Sequence, residues 1–251
     1  MNKYFVWNFD DGLEQDKRII EILKKYGMGA TFNINSGMYG DKTYESRIKE
    51  LGFWETPIDK YLARKHHILP AVEHFRIPEN EVLEVYEGFE IASHTLTHQN
   101  LRFAGKRAIK KEVAEDVKNL SEKFGREIVG FAYPYGMFSK AAKKILKKNG
   151  IKYARIVAST DSFEFPKDPM ELPMTSWTIK EDALEKVERF IAAEPVDDDL
   201  FFLMFSHGYE FDFGTKEANW EKFEKICEMV AAHDDIICCS TEEAFRKHGD
   251  F

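Results

Sequence analysis

The chain has 251 residues, 43% of them hydrophobic and 14% aromatic, enough apolar material for one large core or two small ones. Its formal net charge of −8 argues against nucleic acid as a partner, since phosphate binding needs a basic face. No apolar run approaches the roughly 18 residues of a membrane span.

Taken in order, short apolar runs alternate with amphipathic segments, the pattern of repeated β–α units. The first eleven residues read as a strand running into two aspartates. They lack the basic, apolar and small-residue regions of a signal peptide, so a cytoplasmic location is expected. A strand is predicted over residues 4–9. A helix follows over 16–26, with Ile19, Ile20, Ile22 and Leu23 at helical spacing and Gly27 as its stop, and then a strand over 30–34. Residues 37–88 break the rhythm with scattered aromatics, Pro57, Pro70 and Pro78. They read as an elaborated connection carrying two or three short helices within a single domain spanning 1–251.

The rhythm then returns. Strands are predicted over 89–92, 128–133, 152–157, 200–205 and 236–239. Helices are predicted over 106–124, 139–148, 181–192 and 219–232, with a short last one from Thr241. Ser139 suits an N-cap, and Gly125 and Gly150 suit helix stops. Residues 159–178, with Pro166, Pro169 and Pro173, read as an irregular loop. The three cysteines, Cys227, Cys238 and Cys239, are odd in number and lack metal or redox spacing, so they read as reduced thiols.

Parallel strands flanked by helices place their chemistry at the C-terminal strand ends. The polar groups that interrupt the apolar runs fall there. Asp10-Asp11-Gly12 ends the first strand, though Asp-Gly is also a common turn signal. Adjacent residues on an extended segment point to opposite sides, so one carboxylate can bind a cation while the other handles protons. His94-Thr95-Leu96-Thr97-His98 spaces two imidazoles four apart, which on a helical turn would share one face. Two surface histidines at a helix start are the plainer reading. With an aspartate the pair makes a two-His-one-carboxylate set that leaves open positions on a metal. Tyr133-Pro134-Tyr135-Gly136 suits a tight turn that aims a backbone N–H into a pocket, or simply a β-to-α turn. His207 ends an apolar strand and suits either a general acid or a hydrogen-bonded core histidine.

In this order the segments resemble the motifs of the polysaccharide deacetylases, carbohydrate esterase family 4. Asn8-Phe9-Asp10-Asp11-Gly12 is similar to the family's Thr-Phe-Asp-Asp-Gly. His94–His98 matches His-Ser/Thr-x-x-His in full. Ala132-Tyr133-Pro134-Tyr135-Gly136 keeps all of Arg-x-Pro-Tyr/Phe-Gly except the Arg, and Phe205-Ser206-His207 stands where the family has Leu-x-His. The resemblance implies a distorted (β/α) barrel of about seven parallel strands, with the site at their C-terminal ends. It implies a divalent metal, Zn²⁺ before Co²⁺, Fe²⁺, Ni²⁺ or Mn²⁺, held by Asp11, His94 and His98. Asp10 is then the general base that deprotonates the metal-bound water, His207 the acid that protonates the departing amine, and the Tyr135 N–H an oxyanion donor.

The family Arg that pairs with the base is missing at Ala132, and Arg155 at the end of the next strand is expected to replace it. For the family's Asp/Trp motif, Asp161 and Trp177 are the candidates. Tyr133, Pro134, Trp177 and Tyr209 are expected to contact substrate. The implied substrate is an N-acetylated sugar or a small amide. Hydrolysis of a cyclic amide or ureide, or a carbohydrate-binding relative without catalysis, are the alternatives.

Overall fold

The structure is a computed structural model that describes residues 1–41 and 74–251. Residues 42–73 of the expected 37–88 connection therefore lie outside the described residues, while one short helix of it, at Val82–Val85, lies within them.

The strands are β1 (Lys3–Asp10), β2 (Ala30–Ile34), β3 (Glu90–Ser93), β4 (Gly130–Ala132), β5 (Tyr153–Ser159), β6 (Leu172–Met174), β7 (Ser176–Trp177), β8 (Leu200–His207) and β9 (Ile236–Cys239). The helices are α1 (Asp16–Lys25), α2 (Val82–Val85), α3 (Lys106–Phe124), α4 (Lys140–Lys148), α5 (Ala183–Ala192), α6 (Trp220–Ala231) and α7 (Thr241–His248). The strands pair in parallel in the order β6-β5-β4-β3-β2-β1-β8-β7. Only Thr175 separates the two end strands in sequence, so the sheet curls into a nearly closed, distorted (β/α) barrel. β9 pairs with Lys3–Val6 of β1, and β2 with Trp7–Asp10. The two strands thus share one edge of β1 end to end, while β8 runs along the whole of the other.

Residues 159–178, expected to be irregular, instead carry β6 and β7. At three and two residues these strands are too short to show a period of two. The expected caps form: the Ala142 N–H donates to Ser139 Oγ, and Gly125 ends α3 in the left-handed conformation. All three cysteines are free thiols. Among the described residues no helix is long and apolar enough to cross a membrane.

β1 is buried along its whole length, so its two faces must be read by alternation. Phe5, Trp7 and Phe9 pack with the helices, against Ile19, Leu23 and Phe223 in one core. Tyr4 and Val6 fall in a second, interior core with Leu203, Phe205, Tyr153 and Phe245. Asp10 continues that inward set at the C-terminal end of β1. In register beside it lie His207 of β8 and Asn33 of β2. The same alternation on β5 puts Arg155 inside with Tyr153. The barrel interior is thus apolar below and polar at its C-terminal mouth.

Candidate active site

Asp10 is buried, and its partners come from β2, β5 and the loop beyond β3. Asn33 Nδ2 donates to Oδ1 at 2.9 Å, Arg155 Nη2 donates to Oδ2, and His94 Nε2 stands 3.7 Å from Oδ2. Burial alone would raise its pKa, but Arg155, with His94 and His207, outweighs that and holds the carboxyl below the usual range. Arg155 is fully buried and lies 4.3 Å from the Phe205 ring centroid. From β5 it reaches the Asp10 carboxylate, while position 132 holds an alanine.

After Asp10 the chain turns sharply. Asp11 and Gly12 both have positive φ, 81° and 66°. A Cβ at Gly12 would stand 3.0 Å from an Ile34 methyl, so the turn admits only glycine without movement. The turn reverses Asp11 so that its Oδ1 faces His98 Nε2 at 3.8 Å and its Oδ2 faces His207 Nε2 at 3.9 Å. Arg76 donates to Asp11 Oδ1 at 3.0 Å and to the Asp11 carbonyl. Despite burial, Arg76 and then His98 hold this carboxyl far below its ordinary pKa.

The His94–His98 segment is not the helical turn its spacing suggested. It is a loop beyond β3 with Thr95 and His98 in the left-handed region, at φ 66° and 56°. Side chains on both flanks hold it. Asn35 Nδ2 donates to the carbonyls of His94 and Thr95. Glu112, on the inner face of α3, accepts from the Thr97 N–H at 2.9 Å and from Thr97 Oγ1 at 2.8 Å. One turn further along, Asp116 binds Ser36 and Ser93. His94 Nδ1 donates to the Ala132 carbonyl at 2.7 Å, which directs Nε2 into the site. The possible ligand atoms of Asp11, His94 and His98 all lie within 4.8 Å of one another. Burial lowers both imidazole pKa values, that of His98 to about 4, so both rings are neutral at pH 7, as ligation requires. This donor set therefore fits a divalent metal that takes nitrogen and oxygen.

β4 leads into a short 3-10 turn, Pro134–Gly136. Tyr135 has φ 60° and a ring 48% exposed, 4.7 Å from that of His98. Two of the expected substrate contacts are corrected by burial. Tyr133 is fully buried, donates its hydroxyl to the Met170 carbonyl and stacks on Phe138, so its ring belongs to the core. Pro134 is also buried and shapes the turn rather than offering a surface. Trp177 and Tyr209 stand beside His207. Both are half-buried, and Tyr209 stacks on His207 with ring centroids 5.1 Å apart. Asp161 is exposed and paired with Lys186, apart from this cluster.

His207 closes the constellation. Its Nδ1 lies 3.0 Å from Glu210 Oε1, while Glu210 Oε2 accepts from the His207 N–H, Ser206 Oγ and Trp177 Nε1. Burial opposes the charged ring, but the Glu210 carboxylate prevails and pushes the pKa up to about 9. Sequence reasoning missed Glu210 and Arg76. Glu210 had one readable sign, an acid at the third helical position after His207, where a capping box forms.

Acids, imidazoles and guanidinium groups are thus gathered at one mouth of a (β/α) barrel. The model of one family, polysaccharide deacetylase, matches residues 2–154, and the chain belongs to that family. Among solved structures it is similar to a putative polysaccharide deacetylase from Mycobacterium smegmatis (TM-score 0.60, 15% identity, 98% of this chain and 90% of that one). It is also similar to the Xyl-CE4 domain of a multidomain xylanase from the hindgut metagenome of Trinervitermes trinervoides (TM-score 0.55, 16% identity, 99% and 92%). A third is a carbohydrate esterase family 4 pseudoenzyme from Bacillus anthracis (TM-score 0.53, 15% identity, 96% of this chain). The chain spans 65% of that protein. No curated protein matches the chain in sequence.

Proposed function

We propose that residues 1–251 form one catalytic domain, a metal-dependent hydrolase that removes an N-acetyl group from an amino sugar or oligosaccharide. The observation that carries this reading is the convergence of Asp11, His94 and His98 within 4.8 Å, with Asp10 and His207 beside them. Those three residues would hold the metal, Zn²⁺ being the first choice and Co²⁺, Fe²⁺, Ni²⁺ or Mn²⁺ also suiting the set. When bound, a metal of this kind lowers the pKa of water toward about 7 and polarises the amide carbonyl.

The chain's own groups then divide the protons. Asp10, kept ionised and aimed by Arg155 and Asn33, takes a proton from the attacking water. The water oxygen adds to the carbonyl carbon, and the Tyr135 N–H donates to the carbonyl oxygen as it gains charge. His207, kept protonated by Glu210, gives its proton to the nitrogen as the C–N bond breaks. Acetate and the free amine leave. Tyr209, Trp177 and the exposed ring of Tyr135 form the aromatic rim that receives the sugar.

The pseudoenzyme likeness and the Ala at 132 favour a second reading, a binding protein without catalysis. Arg155 on Asp10 speaks against it, because a merely binding site has no use for an oriented, ionised base. The test is to load purified protein with Zn²⁺ and screen N-acetylated sugars and cyclic amides for acetate or amine release, with Asp10→Ala as blank. Turnover of an acetylated sugar is expected. No rate above the blank on any compound would overturn the hydrolase reading.

A further inference from the structure

Arg76 has no part in the chemistry above, yet it binds the candidate ligand Asp11 twice. It arrives on residues 74–77, which lie against the turn after β1. Arg76 bridges to Leu13, the Ile77 N–H donates to the Gly12 carbonyl at 2.9 Å, and the Glu14 N–H donates to the Phe75 carbonyl at 2.9 Å. The guanidinium is 3% exposed. Nη1 donates to the Asp11 carbonyl and, at 2.6 Å, to Asn35 Oδ1, while Nη2 donates to Asp11 Oδ1. That Oδ1 is the oxygen facing His98. A guanidinium and a metal at Asp11, His94 and His98 therefore draw on the same carboxylate.

A buried carboxylate needs a counter-charge. Arg76 is permanently charged and supplies one whether or not metal is present. Once a divalent cation joins it, two positive groups face each other across one carboxylate in a buried site, where repulsion is strong. Arg76 also helps to orient Asp11, and losing that help alone would weaken metal binding. The Asp11 backbone is held independently, however, by its N–H on the Asn33 carbonyl at 2.9 Å. Repulsion therefore sets the sign.

We propose that Arg76 is a resident counter-cation of Asp11, which keeps the metal-free site folded and holds metal affinity below what the ligand set alone would give. The proposal rests on the reading of Asp11, His94 and His98 as metal ligands. It makes metal occupancy reversible, since the site need not unfold when the ion departs.

The test compares wild type, Arg76→Gln and Arg76→Lys by Zn²⁺ titration against a competing chelator, and by thermal unfolding with and without Zn²⁺. Arg76→Gln should bind Zn²⁺ at least about tenfold tighter. It should also melt below wild type without metal and recover most of that difference with it. Arg76→Lys, which keeps the charge, should stay within about threefold of wild-type affinity. A Gln variant that needs Zn²⁺ to fold supports the proposal. Equal or weaker affinity overturns it, as does a variant equally unstable, or unfolded, in both conditions. Wild type that binds no Zn²⁺ sinks the ligand assignment and this proposal together. Binding by wild type with no change in Arg76→Gln sinks this proposal alone.

Discussion

Replacing Arg155 by Met removes the charge on Asp10 while nearly conserving volume. Arg155 is fully buried, and its Nη2 holds Asp10. Truncating one partner of a buried ion pair costs about 3–5 kcal/mol. Two features place this case at the lower bound. Asp10 keeps its hydrogen bond from Asn33, and Arg155 Nε and Nη1 are buried without partners, so their desolvation cost disappears with the side chain. A loss of about 3 kcal/mol lowers Tm by about 6–12 °C in a chain of this size. The pH dependence has a definite sign. Asp10's pKa is depressed in the folded state, so its contribution is present above the unfolded value of about 4 and is lost as pH falls through the folded value. The gap between wild type and variant should be widest near pH 7 and shrink below about pH 4. In the metal-loaded enzyme kcat/KM should fall about 100-fold or more, and the acid limb of its pH profile should move upward. Thermal unfolding of metal-free protein followed by circular dichroism, with steady-state kinetics, measures both effects. Equal melting at pH 7, or full activity in Arg155→Ala, would refute the reasoning.

Glu210→Gln removes the charge that keeps His207 protonated, so the alkaline limb of the pH–rate profile should move down by about 1–2 units. The stability from this pair is present below about pH 6.5 and lost as pH rises through about 9, so the variant should melt below wild type at pH 6 and converge with it near pH 10. His94→Ala should abolish stoichiometric zinc in elemental analysis of protein that circular dichroism shows to be folded. Burial pushes the Asp16 carboxyl up to about 8, so the folded state holds this proton more tightly than the unfolded chain and wild-type stability declines from about pH 4 to pH 8. Asp16→Asn should therefore melt above wild type at pH 8.5 and lose that advantage by pH 5, which a pH series of melting curves checks.

The barrel was legible because apolar runs broken by single polar residues carry the mark of strand ends, and Asp10, His94 and His207 each made such a break. Arg155 was reached by another route, as the charge nearest the partner of Asp10 that the family pattern has at Ala132, and it lies inside β5 rather than at its end. Other features depend on contacts distant in sequence. Arg76 sits in an aperiodic connection, where nothing marks a cation as buried, and its partner is 65 residues away. The His pair shows the reverse case. Helical spacing singled out His94 and His98, but left-handed backbone at Thr95 and His98 brings them together, and no side-chain pattern encodes that. Tyr133 and Pro134 misled because a motif identifies a segment without saying which of its side chains face inward.

The divided edge of β1 has a consequence in time. β1 is wholly buried in the finished barrel, yet Lys3 pairs with Leu200 on one side and with Ile236 on the other. At about 5–20 residues per second, translation leaves those partners unmade for about 10–40 s. During that interval Phe5 and Trp7 lack the rings of Phe202 and Phe223 that they pack against in the finished barrel. The barrel closes through contacts between remote parts of the chain, a topology that slows folding.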